Sequence, residues 1–267
     1  MKIKTAILSV TITCAMALMM SCQSEFDKLL NGYDTQAKMD AAFDYYEKGK
    51  YNKAAQLVES LTMTTKGTPQ DDTVQFYLGM SNYKFKDYVT AESNFQQFVS
   101  VFPVSPFTEK AQFLRIDCLF RGTYRYELDQ TPTRKALYAI DIFMRERPNS
   151  EYNEVCIKMK EDLEERLDKK AFESAKLYYH MEDYLAARYA LKNVLKDDAD
   201  NCYREEIMYL IAKSSYLFAL NSIAERQYDR YLNFVDDYYN FASEYPESSH
   251  KSELDKLYNK VNNIIKK

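Results

Sequence analysis

Glycine is scarce in this chain: five in 267 residues, isolated at Gly32, Gly49, Gly67, Gly79 and Gly122. Loops that cradle phosphates need glycines in close succession, so dinucleotide and P-loop fingerprints are excluded. Six prolines leave few turn residues, which disfavours a sandwich or barrel of many short strands. The two histidines, His180 and His250, have no second histidine at metal spacing. An excess of cations is also missing, with 36 Lys and Arg against 40 Asp and Glu. Nucleic-acid binding rests on clustered Lys and Arg that neutralise phosphates, so no nucleic-acid partner is expected. No Ser or Cys stands in a nucleophile motif. Tryptophan is absent, yet there are 24 Tyr and 15 Phe, and that excess needs a structural account.

The N-terminus reads as a leader. Lys2 and Lys4 precede an uncharged run from Ala6 to Met20. That run suits a signal sequence and falls short of the roughly 20 residues a membrane span needs. It ends in Leu18-Met19-Met20-Ser21-Cys22, a small residue directly before a cysteine, which resembles the bacterial lipobox. The resemblance implies a leader at 1–21, cleavage before Cys22, and a diacylglycerol and an N-acyl chain on that cysteine. Each buried methylene contributes about 0.8 kcal/mol, so several chains anchor stably. Residues 22–33 would then be a lipidated linker. An ordinary secretory leader is the alternative. No later segment is long and apolar enough to span a membrane. Cys118, Cys156 and Cys202 are too widely spaced for a metal knuckle or a CxxC pair. They read as small buried residues on helical faces, with pairing of two in an exported chain left open.

The body from 34 to 267 repeats, and the repeat is helical. Ala54, Leu57, Val58 and Leu61 make one helical stripe, and Ala42, Tyr45, Tyr46 and Gly49 make the one before it. Gly49 suits the left-handed end of that first helix. Lys50-Tyr51-Asn52-Lys53-Ala54 returns as Asp87-Tyr88-Val89-Thr90-Ala91 and as Asp183-Tyr184-Leu185-Ala186-Ala187. Self-similarity at this period marks a helical solenoid. A second signal marks the turns between repeats: Pro103-Val104-Ser105, Pro148-Asn149-Ser150 and Pro246-Glu247-Ser248, with a degenerate Ala199-Asp200-Asn201. Proline should stop one helix and Ser or Asn cap the next. The best copy, Leu78-Gly79, Tyr83, Tyr88, Ala91, Phe95, Phe98 and Pro103, resembles the tetratricopeptide repeat. Gly79 and Ala91 should be small because two helices cross there. A loop from Gly122 to Gln130 splits the third hairpin, and Thr131-Pro132 restarts a helix as N-cap and first-turn proline. The expected fold is all-α: a right-handed α-solenoid of about five tetratricopeptide-like hairpins plus a helix near Lys251 to Ile265. Aromatic packing between hairpins accounts for the Tyr and Phe.

Catalysis is not expected. The acidic run Glu161 to Glu165 lies among Lys158, Lys160, Arg166, Lys169 and Lys170 at helical spacing, which reads as a solvated helix with ion pairs. A solenoid instead offers a long surface to peptides and partners. With first helices facing inward, Met39, Phe43 and Tyr46 of the first hairpin and Phe76, Met80 and Tyr83 of the second would line a groove. Such a groove suits an extended peptide ending in an aromatic residue. Packing of some of these against neighbouring hairpins is the alternative.

Taken together, several features resemble the BamD lipoprotein family of outer-membrane β-barrel assembly, in its Bacteroidetes form. They are Cys22, the turn Gly67-Thr68-Pro69, the interrupted third repeat with Leu128-Asp129-Gln130-Thr131 and Arg147-Pro148-Asn149-Ser150, and Ala171-Phe172-Glu173 with Lys176-Leu177-Tyr178-Tyr179. The resemblance spans roughly residues 22 to 267. It implies a lipid-anchored protein of the outer membrane, facing the periplasm, with no cofactor beyond the lipid on Cys22. It implies an N-terminal half, 34–150, that recognises unfolded barrel proteins. It also implies a C-terminal half, 151–267, that binds a BamA-type barrel subunit, with Lys196 at the family's basic contact position. Asp198-Ala199 replaces the aromatic-proline pair usual after that position. A repeat lipoprotein serving glycan uptake or cell-wall maintenance is the alternative reading.

Overall fold

The computed structural model describes residues 25–266, so the leader and Cys22 lie outside the described residues. Among the described residues the regular elements are α-helices that pair in chain order. Hairpin one joins α1 (Thr35–Glu47) to α2 (Tyr51–Leu61), and hairpin two joins α3 (Asp71–Phe85) to α4 (Tyr88–Val101). Hairpin three joins α5 (Thr108–Arg121) to α6 (Thr131–Glu146), and hairpin four joins α7 (Asn153–His180) to α8 (Tyr184–Asp197). Hairpin five joins α9 (Arg204–Leu220) to α10 (Ala224–Glu244), and α11 (Lys251–Ile265) follows. This is the tetratricopeptide-like array that the periodicity predicts.

The helices group into two compact units. One holds the described residues up to Thr123 together with Arg134–Asn153, and the other holds Tyr124–Thr133 with the chain from Glu154 onward. In the first unit Phe76, Phe95 and Phe98 pack with Ala91, Ala111 and Leu114. In the second, Phe172, Tyr231, Phe234 and Phe241 pack with Leu191, Ile207 and Leu254. The phenylalanines carry much of this core, whereas among the tyrosines Tyr209, Tyr216, Tyr231 and Tyr238 are buried and others, such as Tyr138, Tyr189 and Tyr228, are exposed.

Three hairpin turns share one backbone solution. Gly49, Lys86 and Glu182 are left-handed, at φ 72°, 69° and 61°. In each, the next N–H bonds back five residues: Lys50 to Tyr45, Asp87 to Asn82, and Asp183 to Tyr178, at 2.8–3.0 Å. That is the Schellman closure of a helix end. A tyrosine pair straddles each turn edge-on: Tyr46 with Tyr51, Tyr83 with Tyr88, and Tyr179 with Tyr184, at 5.3–5.7 Å. Asp87 and Asp183 then cap the second helices by accepting from the N–H groups of Thr90 and Ala186.

The turns between hairpins differ from expectation in one detail. Ser105, Ser150, Asn201 and Ser248 do not cap the following helix. Their side-chain oxygens accept the N–H two residues on, from Phe107, Tyr152, Tyr203 and His250, at 3.0–3.3 Å. Their carbonyls accept the N–H three residues on, so each residue seats a tight turn just ahead of the helix. Similarly, α6 begins at Thr131 itself, one residue earlier than an N-cap reading. Asp129 accepts from the Thr131 N–H, and Gln130 from the Thr133 hydroxyl. The loop 122–130 falls where the sequence placed it. The Lys170 ammonium holds it by donating to the carbonyls of Tyr126, Glu127 and Leu128, at 2.7–3.3 Å.

The expected linker is not free where it is described. Residues 25–31 are helical, and Phe26 is 7% exposed among Ala42, Leu57, Val58 and Leu61. Leu29 and Leu30 pack on the same core. Phe26, Leu29 and Leu30 stand at i, i+3 and i+4, a short amphipathic stripe that closes the open face of hairpin one.

Candidate functional site

In the first unit, α1 and α3 present aromatic rings side by side. Phe43 meets Tyr77 edge-on at 4.8 Å, and Tyr46 meets the same ring at 5.3 Å. All three are half-buried, so each offers part of a ring to a ligand. Burial and the neighbouring Tyr77 and Tyr51 push the Tyr46 phenol up to about 12.

The six residues expected to line a groove do not share one surface. Phe43 and Tyr46 are half-buried beside Tyr77. Met39 is half-buried against the core of hairpin one. Phe76 and Met80 are only 3% and 8% exposed and belong to the hydrophobic core, which corrects their placement. Phe76 stacks on Phe107 at 4.6 Å and touches Phe95 and Phe98, so this part of α3 serves the contact with hairpin three. Tyr83 is half-buried and donates to Asp117 at 2.6 Å. Arg121 pairs with the same carboxylate and lies over the Tyr83 and Tyr88 rings. Burial and the Asp117 hydrogen bond raise the Tyr83 pKa. Tyr77, one residue from Phe76, takes the place on the accessible face.

In the second unit a cleft of about 560 Å³ opens among α8, α9 and α10. Leu195, Met208 and Ile211 give it an apolar wall, and Lys196 stands exposed at its edge in the last turn of α8. Asp237 is buried at 3% exposure and holds the cleft's electrostatics together. It accepts from Arg188 at 2.6 Å, Lys192 at 2.7 Å and the Ser215 hydroxyl at 2.5 Å. Arg204 grips Glu244 through two nitrogens, at 2.5 and 3.0 Å. Lys196 makes no such pair among the described residues, so its ammonium is available to a partner.

Among the described residues no group of three or more His, Cys, Asp or Glu could hold a metal ion. His250 stacks on Tyr209 at 4.1 Å, while His180 is exposed at the end of α7. Cys118, Cys156 and Cys202 are free thiols; the first two are buried as expected, whereas Cys202 is exposed in the turn before α9 and not on a helical face. On α7, Lys160 pairs with Glu164 and Arg166 with Asp162, as expected of a solvated helix. No helix among the described residues is long and apolar enough to cross a membrane.

Helical hairpins that display aromatic and charged surfaces define a tetratricopeptide-type scaffold. Comparison with known proteins then narrows the class. The chain belongs to the YfiO family of outer membrane lipoproteins, whose family model matches residues 31–230. It is similar to the outer membrane protein assembly factor BamD of Caulobacter vibrioides, at 22% identity over 184 residues. That match covers 68% of this chain and 60% of the relative's length. A solved thermophilic TPR protein from Thermus thermophilus matches at 17% identity, covering 85% of this chain and 98% of its own, with a TM-score of 0.33.

Proposed function

We propose that this chain is a non-enzymatic scaffold of outer-membrane β-barrel assembly, anchored by lipid on Cys22 and facing the periplasm. The observation that carries this reading is the family match across residues 31–230. The name of the Caulobacter relative supports it. In this reading the partly exposed rings of Phe43, Tyr46 and Tyr77 receive extended, aromatic-bearing segments of unfolded barrel proteins. Partly exposed tyrosines suit that task, because they offer apolar area with little entropy to lose and a hydroxyl that can still bond. The second unit docks on a BamA-type barrel subunit at the cleft edged by Lys196, where an exposed cation beside an apolar wall suits an acidic, partly apolar surface. No cofactor takes part beyond the lipid.

The test is a mild-detergent pull-down of the native lipoprotein, with mass spectrometry of what accompanies it. A stoichiometric BamA-type subunit is the expected result. Its reproducible absence, with the bait intact and lipidated, would overturn the proposal.

A further inference from the structure

Phe26 stands four residues after Cys22, and it is fixed. Its ring is buried, meets Tyr45 edge-on at 5.7 Å, and has the Lys53 ammonium 4.9 Å from its centroid. Tyr45 and Lys53 flank the α1–α2 turn at Gly49, so the chain enters the fold beside that turn. Four residues extend to roughly 14 Å at most. Taken with the lipidation of Cys22 proposed above, on which this rests, we infer that the turn of hairpin one lies against the bilayer surface. The tether is too short for the scaffold to hang freely below the membrane.

The side chains around the turn fit a headgroup layer. Lys53 and Lys50 lie over the Tyr45 ring, at 5.5 and 5.7 Å. Asn52 and Lys48 are exposed, with Lys48 paired to Asp44 at 2.7 Å. Lysine and tyrosine favour the membrane interface, where an apolar stem or ring meets wet phosphate. Glu47 is the exposed acid on the same turn, so charge alone would not select the bilayer. The short docked tether supplies the orientation, and the lysines and tyrosine make it tolerable. The other end of the hairpin is held away, because α2 has 11 residues and so rises about 16 Å.

The chain has no tryptophan, so one introduced residue is a unique emitter. Asn52→Trp places it in the first turn of α2 and Met63→Trp two residues past the helix's other end, both at exposed positions. The lipidated full-length variants are reconstituted in phosphatidylethanolamine–phosphatidylglycerol vesicles carrying a dansyl headgroup acceptor. Strong energy transfer is expected from Asn52→Trp and weak transfer from Met63→Trp. A Gly/Ser insert of about 20 residues between Ser24 and Glu25, reaching roughly 25 Å on average, should abolish most of the Asn52→Trp signal. Equal transfer from the two sites, or a signal indifferent to the insert, in protein that floats with the vesicles overturns the inference. Flotation and intact mass are read separately. A chain that neither floats nor carries the lipid mass overturns the anchor itself, and the inference with it.

Discussion

A Cβ placed on Gly79 would lie 2.6 Å from Cε1 of Phe95, closer than such atoms approach one another. Phe95 is fully buried between α3 and α4, so its ring has little room to retreat. This is the close helix crossing that the Gly79 and Ala91 pattern pointed to. Gly79→Ala should gain about 1 kcal/mol of helix propensity and lose about 1–3 kcal/mol to overpacking. The expected net result is a lower urea midpoint with an unchanged slope. Phe95→Leu in the same chain should recover part of the loss, because it removes the ring that the methyl strikes. A stabilised Gly79→Ala protein would refute the crossing.

Lys86 and Glu182 occupy left-handed backbone that Gly49 adopts without strain. A side chain there costs about 1 kcal/mol relative to glycine. Lys86→Gly and Glu182→Gly should each raise the melting temperature, and Gly49→Ala should lower it. The pair of gains would be additive, since the two turns belong to different units.

Much of this architecture was legible in the sequence because it depends on local chemistry. Helix ends follow prolines and left-handed turns, and the interrupted third hairpin breaks between Gly122 and Gln130 as read. The surface was less legible. Phe76 and Tyr77 are both aromatic and adjacent, and one residue is about 100° of rotation on a helix. Which of them faces out is decided by Phe107, which arrives from the next repeat and stacks on Phe76. That partner lies 31 positions away, and no helical period announces it. The docked segment at 25–31 was missed for a different reason. Its stripe of Phe26, Leu29 and Leu30 was present, but so short a helix is stable only once hairpin one gives it a surface.

Asp237 gathers Arg188, Lys192 and Ser215 around one buried carboxylate, bridging α8, α9 and α10. Asp237→Asn keeps the shape and removes the charge. The Arg188 guanidinium, largely buried, then loses its counter-ion. A destabilisation of about 2–3 kcal/mol is expected, larger than for any exposed pair such as Lys48 with Asp44. Denaturant titration of Asp237→Asn beside Asp44→Asn measures the difference. Equal costs would mean that Asp237 is hydrated in solution.

Alkaline pH should loosen the first unit. Burial pushes the Cys118 thiol from 9.0 up to about 12, and the Tyr46 phenol from 10.0 up to about 12. Both groups are neutral when protonated, so folding favours the protonated form. That stability is complete below the unfolded values and is lost as pH rises from about 9 towards 12. Circular dichroism melts at pH 8 and pH 11 should show the drop, and Cys118→Ala should reduce it. The same shift predicts that alkylating reagents leave Cys118 unmodified near pH 8 until the chain unfolds.

The aromatic surface makes the sharpest distinction between a binding role and a packing role. Phe76→Ala empties a fully packed site beside Phe95, Phe98 and Phe107, and about 3–5 kcal/mol of stability should go with it. Any loss of peptide binding in that variant would report unfolding. Phe43→Ala with Tyr77→Ala removes half-exposed rings that meet each other at 4.8 Å. That double variant should stay folded, keep its association with a BamA-type subunit, and bind aromatic-ended barrel peptides roughly tenfold more weakly, since each ring contact is worth about 0.5–1.5 kcal/mol beyond its area. Fluorescence anisotropy with a labelled peptide measures the affinity, and the pull-down checks the association. If a folded double variant binds the peptide as tightly as the parent chain, the face formed by α1 and α3 is not a peptide-binding surface.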